Sequence, residues 1–386
     1  MENFVCSIPT KIYFGRGQLA NLGRAARAFG RRVLLVYGGG SIKRNGLYEA
    51  VLAQLEDFSV TELSGVQPNP RIDSVRQGVA LCRENRVDFV LAVGGGSVID
   101  CAKAVAAGAA YEGDPWELVE DPRKIKEVLP ILTVLTASAT GSEMDPFAVI
   151  SNPETNEKRG MGNRAMRPVL SILDPGYTFS VSRYQTAAGT ADIISHIFEA
   201  YFNPVPEAFL QARMAEALLK TCFKYGKTAC DRPDNYEARS NLMWASSLAI
   251  NGLLSLGCDV DWSVHPLEHI LSAHYDITHG VGLAILTPAW MEYVLSEATV
   301  DRFAQYGVNV WSIDPTLDRF EIAHKAIACT RRYFAEDLGL PTRLSQVGIG
   351  EEKLDLMAMQ AAGDLGNNIF CPLGAEDVKN IFRSCL

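Results

Sequence analysis

The chain has 386 residues, long enough for two domains of ordinary size. Hydrophobic residues make up 48% of it and the formal net charge is −9 with no long run of Lys or Arg; these values exclude a disordered chain and argue against a nucleic-acid or acidic-membrane partner. The first residues lack the basic region and apolar run of a signal peptide, and no stretch of about 18 apolar residues occurs. A cytoplasmic protein without a spanning helix is expected. The nine cysteines (6, 82, 101, 222, 230, 258, 329, 371 and 385) form no C-x-x-C pair and read as reduced, small buried hydrophobes.

In chain order, the first half alternates strands and helices. Lys11–Phe14 is extended and Gly15-Arg16-Gly17 turns. Arg32–Tyr37 is a short apolar, β-branched run that stops at Gly38-Gly39-Gly40-Ser41, as a buried parallel strand does. A helix over 46–54, a strand over Ser59–Leu63 and a turn at 67–70 follow. Asp73 caps the next helix, whose Val75, Val79 and Cys82 share one face. Val87–Val93 is a strand ending in Gly94-Gly95-Gly96-Ser97, followed by an Ala-rich helix. Ile131–Leu135 is a further strand, and 154–168 reads as loops or an edge hairpin. Val169–Leu173 is the last strand. The repetition predicts a Rossmann-like parallel α/β sheet covered by helices over 1–180. From there on helical periodicity dominates, with helices expected over 183–202, 206–225, 235–253, 262–274, 280–296, 300–307, 318–337, 351–361 and 375–384. Residues 181–386 are therefore expected to form an all-α domain.

Two glycine loops carry chemistry. Gly94–Ser97 lies between a strand end and a helix start, where open α/β sheets bind ligands and glycine lets a phosphate reach the backbone. It is not the G-x-G-x-x-G fingerprint, and Ser97-Val-Ile-Asp100 also fits a plain capping box. The second loop, Gly38–Ser41, makes the pair consistent with one extended dinucleotide. Tyr37–Ser41 holds no acid for a ribose 2′-hydroxyl, whereas its amides, Ser41, Lys43 and Arg44 suit a 2′-phosphate. NADP(H) is therefore expected in preference to NAD(H).

The second half holds the metal candidates. Asp192 and His196 lie four apart on one helix face, and four of the six histidines (265, 269, 274 and 279) fall within one short stretch. Asp192, His196, His265 and His279 together suit Fe(II) or Zn(II), and make a poor cage for Ca(II) or Mg(II).

These residues and their context resemble the iron-containing (group III) alcohol dehydrogenase family, in its NADPH-dependent butanol dehydrogenase and broad aldehyde reductase branch. The resemblance runs nearly end to end. It rests on Gly94-Gly-Gly-Ser-Val-Ile-Asp100-Cys-Ala-Lys103, Thr140-Gly-Ser-Glu143, Asp174-Pro175, Gly189-x-x-Asp192-x-x-x-His196, His265-x-x-x-His269 and His279-Gly280. It implies a dehydroquinate synthase-like fold with a nicotinamide-binding α/β domain, a helical metal domain and an active site in the cleft between them. It places the metal on Asp192, His196, His265 and His279. It places cofactor contacts on Gly38, Gly39, Ser41, Asn69, Gly95, Gly96, Ser97, Asp100, Thr136, Ser138, Thr140, Ser142, Lys158 and Tyr177. A homodimer is usual for the branch. The sequence departs from many members in having Leu135 before Thr136 and Asp145 after the Thr140–Glu143 motif.

The expected activity is interconversion of primary alcohols and aldehydes, with His269 as a catalytic proton relay. Phe147, Phe198 and Trp262 suggest a small aliphatic or aromatic aldehyde. The competing reading is a glycerol-type or diol dehydrogenase using NAD(H). A lyase-type relative with a phosphate-bearing substrate is disfavoured because 255–280 contains no Lys or Arg.

Overall fold

The computed structural model describes residues 1–386 except 206, 259, 261 and 366–369. The chain divides into two compact units. One comprises 7–181 together with 233–251; the other comprises 1–6, 182–232 and 252–386.

The first unit is built on a six-stranded sheet of β1 (Lys11–Phe14), β2 (Arg32–Tyr37), β3 (Ser59–Leu63), β4 (Phe89–Gly94), β5 (Ile131–Leu135) and β8 (Leu170–Leu173). Every neighbouring pair in the order β1-β8-β5-β4-β2-β3 is parallel. Two strands between β5 and β8, β6 (Phe147–Asn152) and β7 (Glu157–Gly162), pair antiparallel as a separate hairpin. The sequence reading saw only its second half.

The inner strands are apolar on both faces, because both faces are covered. Leu34, Val36, Val90 and Ala92 pack with the Ile72–Glu84 and Gly96–Ala109 helices. Val33, Leu35, Leu91 and Val93 pack on the other side with Leu47 and Val51 of the Leu47–Gln54 helix. The chain leaves β2 for β3 on one side and leaves β4 for β5 on the other. The topological switch point therefore lies between the carboxyl ends of β2 and β4, where sheets of this type bind ligands.

The Tyr236–Ile250 helix, expected with the helical half, packs with the sheet unit instead. Its Ser246 hydroxyl donates to the Ala139 carbonyl, its Ser247 hydroxyl to the Glu143 carboxylate, and Trp244 meets Phe14 edge-on at 5.9 Å. A helical stretch announces its own period but not which partner covers its apolar stripe.

The other unit is helical throughout its described residues, with long helices at Arg183–Tyr201, Phe209–Asp231, Val264–Tyr275, His279–Val294, Val300–Trp311 and Arg319–Arg332, and shorter ones at Leu354–Asp364 and Ala375–Ser384. Pro206, where one of these helices was expected to begin, lies outside the described residues. Among the described residues no helix is long and apolar enough to cross a membrane.

Glu143 gives the sheet unit a pH dependence. It is wholly buried, and burial pushes its carboxyl up to about 7 against the opposing Ser247 hydrogen bond. Native Glu143 stays protonated while an unfolded Glu143 ionises near pH 4.5. Stability is therefore complete below about pH 4.5 and falls as pH rises towards about 7, by roughly 3 kcal/mol. Urea unfolding at pH 5 and pH 8 checks this: Glu143→Gln should remove most of that difference, and an unchanged pH dependence would refute the assignment.

Candidate active site

Three helix segments supply the metal candidates. The Arg183–Tyr201 helix starts at Ser182, whose hydroxyl accepts from Gln185 N. It carries Asp192, His196 and Glu199, spaced four and three apart and so on one face. The Val264–Tyr275 helix carries His265, Glu268 and His269 in the same manner. His279 is the first residue of the His279–Val294 helix. Gly280 next to it permits the approach, because a Cβ there would sit 2.0 Å from the Ala188 carbonyl oxygen.

The imidazoles converge on one carboxylate oxygen. Asp192 Oδ1 lies 3.6 Å from His196 Nδ1, 3.8 Å from His265 Nε2 and 3.6 Å from His279 Nε2. Ligands about 2.1 Å from a tetrahedral ion lie about 3.4 Å apart, so these spacings fit one cation. Asp192, His265 and His279 each offer an atom within 4.8 Å of the others; His196 joins from the Asp192 side, stacked on His265 with centroids 4.6 Å apart.

The hydrogen-bond pattern of the donor set fits a cation site. Asp192 Oδ1, His196 Nδ1 and His265 Nε2 are buried and have no hydrogen-bond partner. Buried polar atoms rarely go unpaired, and three around one point mark a ligand position. Burial alone would raise the Asp192 carboxyl, but the histidines, His196 foremost, more than offset it and hold it at about 2. Burial pushes His196 down to about 4 and so keeps it a neutral donor. Asp192, His196 and His265 are buried, whereas the His279 side chain is 23% exposed, and His269 is also partly exposed beside it, with ring centroids 5.5 Å apart.

Two carboxylates stand behind the ligands. Glu199 accepts from His265 Nδ1 at 2.8 Å, and Glu268 pairs with His279 Nδ1. Sequence reasoning missed both. The signal was present in their helical spacing from Asp192 and His265, seven and three residues on.

The cofactor candidates belong to the sheet unit. Its six strands are parallel, so the loops after them leave along one edge: Gly38, Gly39 and Ser41 after β2, Asn69 after β3, Gly95, Gly96 and Ser97 after β4, Thr136, Ser138, Thr140 and Ser142 after β5, and Tyr177 after β8. The first and third of these loops flank the switch point. Gly96 is required by packing, since a Cβ there would meet the Thr140 side chain at 2.4 Å. Gly39 is not: a Cβ would find nothing within 4 Å. That open, exposed cradle and the unpartnered Ser138 Oγ fit a phosphate-bearing ligand. Lys158 reaches the same edge through the hairpin: it opposes Ser151, whose N–H donates to the Pro70 carbonyl next to Asn69. Asp100 and Ser142 are bonded to each other at this edge. The Asp100 carboxylate accepts from the Ser142 hydroxyl at 2.6 Å and from Val149 N at 2.9 Å. Of the three expected substrate-side aromatics, Trp262 alone meets the histidines, edge-on to His265 at 5.1 Å and His196 at 6.1 Å. Phe198 is buried against Phe202 and Tyr306, and Phe147 is exposed on β6 of the sheet unit.

The family model described as iron-containing alcohol dehydrogenase matches residues 9–175, and that of the Fe-containing alcohol dehydrogenase family, C-terminal, matches 186–386. The chain belongs to the iron-containing alcohol dehydrogenase family. It is 59% identical to NADH-dependent butanol dehydrogenase A of Clostridium acetobutylicum, over 99% of both chains, and 41% identical to the NADPH-dependent aldehyde reductase YqhD of Escherichia coli, over 90% of both. The crystal structure of NADH-dependent butanol dehydrogenase A from Thermotoga maritima superposes with a TM-score of 0.94 at 40% identity, covering 100% of this chain and 99% of that one. As an iron-containing alcohol dehydrogenase, the protein is an oxidoreductase that interconverts alcohols and aldehydes with a nicotinamide dinucleotide and an iron-type metal.

Removing a donor should empty the metal site. His265→Ala, refolded with Fe(II) or Zn(II) and passed through a desalting column, should retain less than a tenth of the metal held by the parent protein in elemental analysis; full retention would rule His265 out as a ligand.

Proposed function

We propose that this enzyme is an NADP(H)-preferring reductase of small aliphatic aldehydes, butanal among them, working in the cytoplasm as a homodimer. The observation that carries the reading is the buried cluster around Asp192 Oδ1, whose open side is formed by His279 and His269. Asp192, His196, His265 and His279 hold the metal. When bound, the nicotinamide supplies hydride, and the metal supplies the Lewis acidity that polarises a carbonyl.

The residues do the rest. Trp262, partly exposed and edge-on to His265 and His196, offers an apolar surface beside the cluster, which suits a short alkyl chain. His269 is within reach of the cluster and partly exposed, so it can deliver a proton to the alcohol oxygen as it forms and recover one from solvent.

The cofactor preference rests on the loop after β2. Glu62, near the end of β3, is the acid placed to bind a ribose, but its two carboxylate oxygens accept from the Tyr37 and Tyr48 hydroxyls at 2.6 Å each. Lys43 lies over both rings, 5.1 Å and 4.4 Å from their centroids. An occupied acid and a nearby ammonium favour a 2′-phosphate. Among the relatives, the butanol dehydrogenases of Clostridium acetobutylicum and Bacillus subtilis, 45–59% identical, are called NADH-dependent, two of them as probable, and the E. coli reductase, 41% identical, NADPH-dependent. The described cysteines form no disulfide, in keeping with a reducing compartment. Exposed Phe4, Val5, Phe209 and Leu210, in the helical unit, offer apolar surface to a second copy.

With metal-loaded enzyme and butanal, kcat/KM should be at least about tenfold higher with NADPH than with NADH, and Lys43→Ala should erase most of that ratio through the NADPH value. A higher kcat/KM with NADH would sink the preference. In the same assay His269→Ala should keep its metal but lose the limb of the pH–rate profile that reports the proton donor; an unchanged profile assigns His269 no proton transfer.

A further inference from the structure

Each of two ligand histidines has its far nitrogen tied to a buried carboxylate from a different helix. Glu199 of the Arg183–Tyr201 helix holds His265 Nδ1, and Glu268 of the Val264–Tyr275 helix holds His279 Nδ1. Glu199 is 4% exposed and Glu268 fully buried, so neither interaction is screened by water. A carboxylate only accepts, which makes each Nδ1 a protonated nitrogen, so that in the neutral ring Nε2 carries the lone pair. In both rings it is Nε2 that faces Asp192 Oδ1, at 3.8 Å and 3.6 Å.

We propose that Glu199 and Glu268 are positioning residues that set the tautomer and raise the donor strength of His265 and His279, and so determine how tightly the enzyme keeps its metal. This rests on the metal reading of the cluster given above. Carboxylate–histidine pairs of this kind make a ligand imidazole more basic and fix its ring. They also add two negative charges to that of Asp192 around a divalent ion, which opposes metal loss from a buried site.

The two carboxylates are built in differently. Glu199 also accepts from the backbone N–H groups of Ser263, Val264 and His265, at 2.8, 3.0 and 3.0 Å. It thereby caps the free donors at the start of the helix that carries His265, so one side chain fixes both the ring and the helix end beneath it. Glu268 is held through side chains, accepting from the Ser272 hydroxyl and pairing with His279 Nδ1, and Gly282 leaves room for it: a Cβ there would lie 2.7 Å from Glu268 Cγ. Substituting Glu199 would also uncap the helix that carries His265, so Glu268 is the residue to test.

Zinc affinity measured by competition with a chromophoric chelator, on metal-stripped full-length protein, reads the effect directly. Glu268→Gln keeps an acceptor for Nδ1 but loses the charge and should weaken zinc binding about tenfold; Glu268→Ala loses both and should weaken it about 100-fold. The visible bands of the Co(II)-substituted protein should shift in both variants, which a purely structural role would not produce. Zinc affinities within twofold of the parent, with unchanged Co(II) spectra, overturn the proposal. If Glu268→Ala does not fold, Glu268→Gln decides alone. A parent protein that takes up no zinc overturns the metal reading itself and not this refinement of it.

Discussion

The helical unit depends on one buried charge. Asp192 Oδ1 lies below the surface with three imidazoles within 4 Å and no hydrogen-bond donor of its own. A carboxylate in such a place costs several kcal/mol unless a cation shares it. The imidazoles cannot all serve as cations, since burial holds His196 neutral down to about pH 4. A divalent metal held as proposed would satisfy the oxygen and the two unpaired ring nitrogens together, and would then belong to the packing of the unit as well as to its chemistry.

The surrounding sequence follows from that requirement. Three helix segments must approach one point, which explains Gly280 against Ala188 and Gly282 against Glu268. The histidines must present defined nitrogens, which explains carboxylates at 199 and 268. The sheet unit answers a different requirement, the close approach of a polyanion to backbone. It does so with loops along the carboxyl edge of parallel strands and with Gly39 left open where nothing in the packing demands glycine.

Much of this was legible in the sequence for identifiable reasons. The strands at 32–37 and 131–135 stand out because parallel strands covered on both faces are continuous apolar runs closed by glycine or polar residues. The metal candidates stand out because few histidines occur and four of them crowd into one stretch. The allegiance of the Tyr236–Ile250 helix was not legible, because its contacts, Trp244 on Phe14 and Ser247 on Glu143, join residues over a hundred positions apart. Glu199 and Glu268 were overlooked because an acid on a helix face is ordinarily solvated, and only burial distinguishes these two. Asp100 was read from its motif, and its bonds to the Ser142 hydroxyl and to Val149 N, which join a helix start to a loop and to β6, carry no signal in the sequence. Phe198 was read as substrate-facing on composition alone, and its ring is packed into an aromatic cluster.

The most direct test of the central claim is X-ray absorption spectroscopy at the metal edge of the iron- or zinc-loaded protein. The account predicts a first shell of nitrogen and oxygen at about 2.0–2.2 Å, with outer-shell multiple scattering from three imidazoles that drops to two in His196→Ala. A sulfur shell near 2.3 Å, or a spectrum without imidazole scattering, would contradict it.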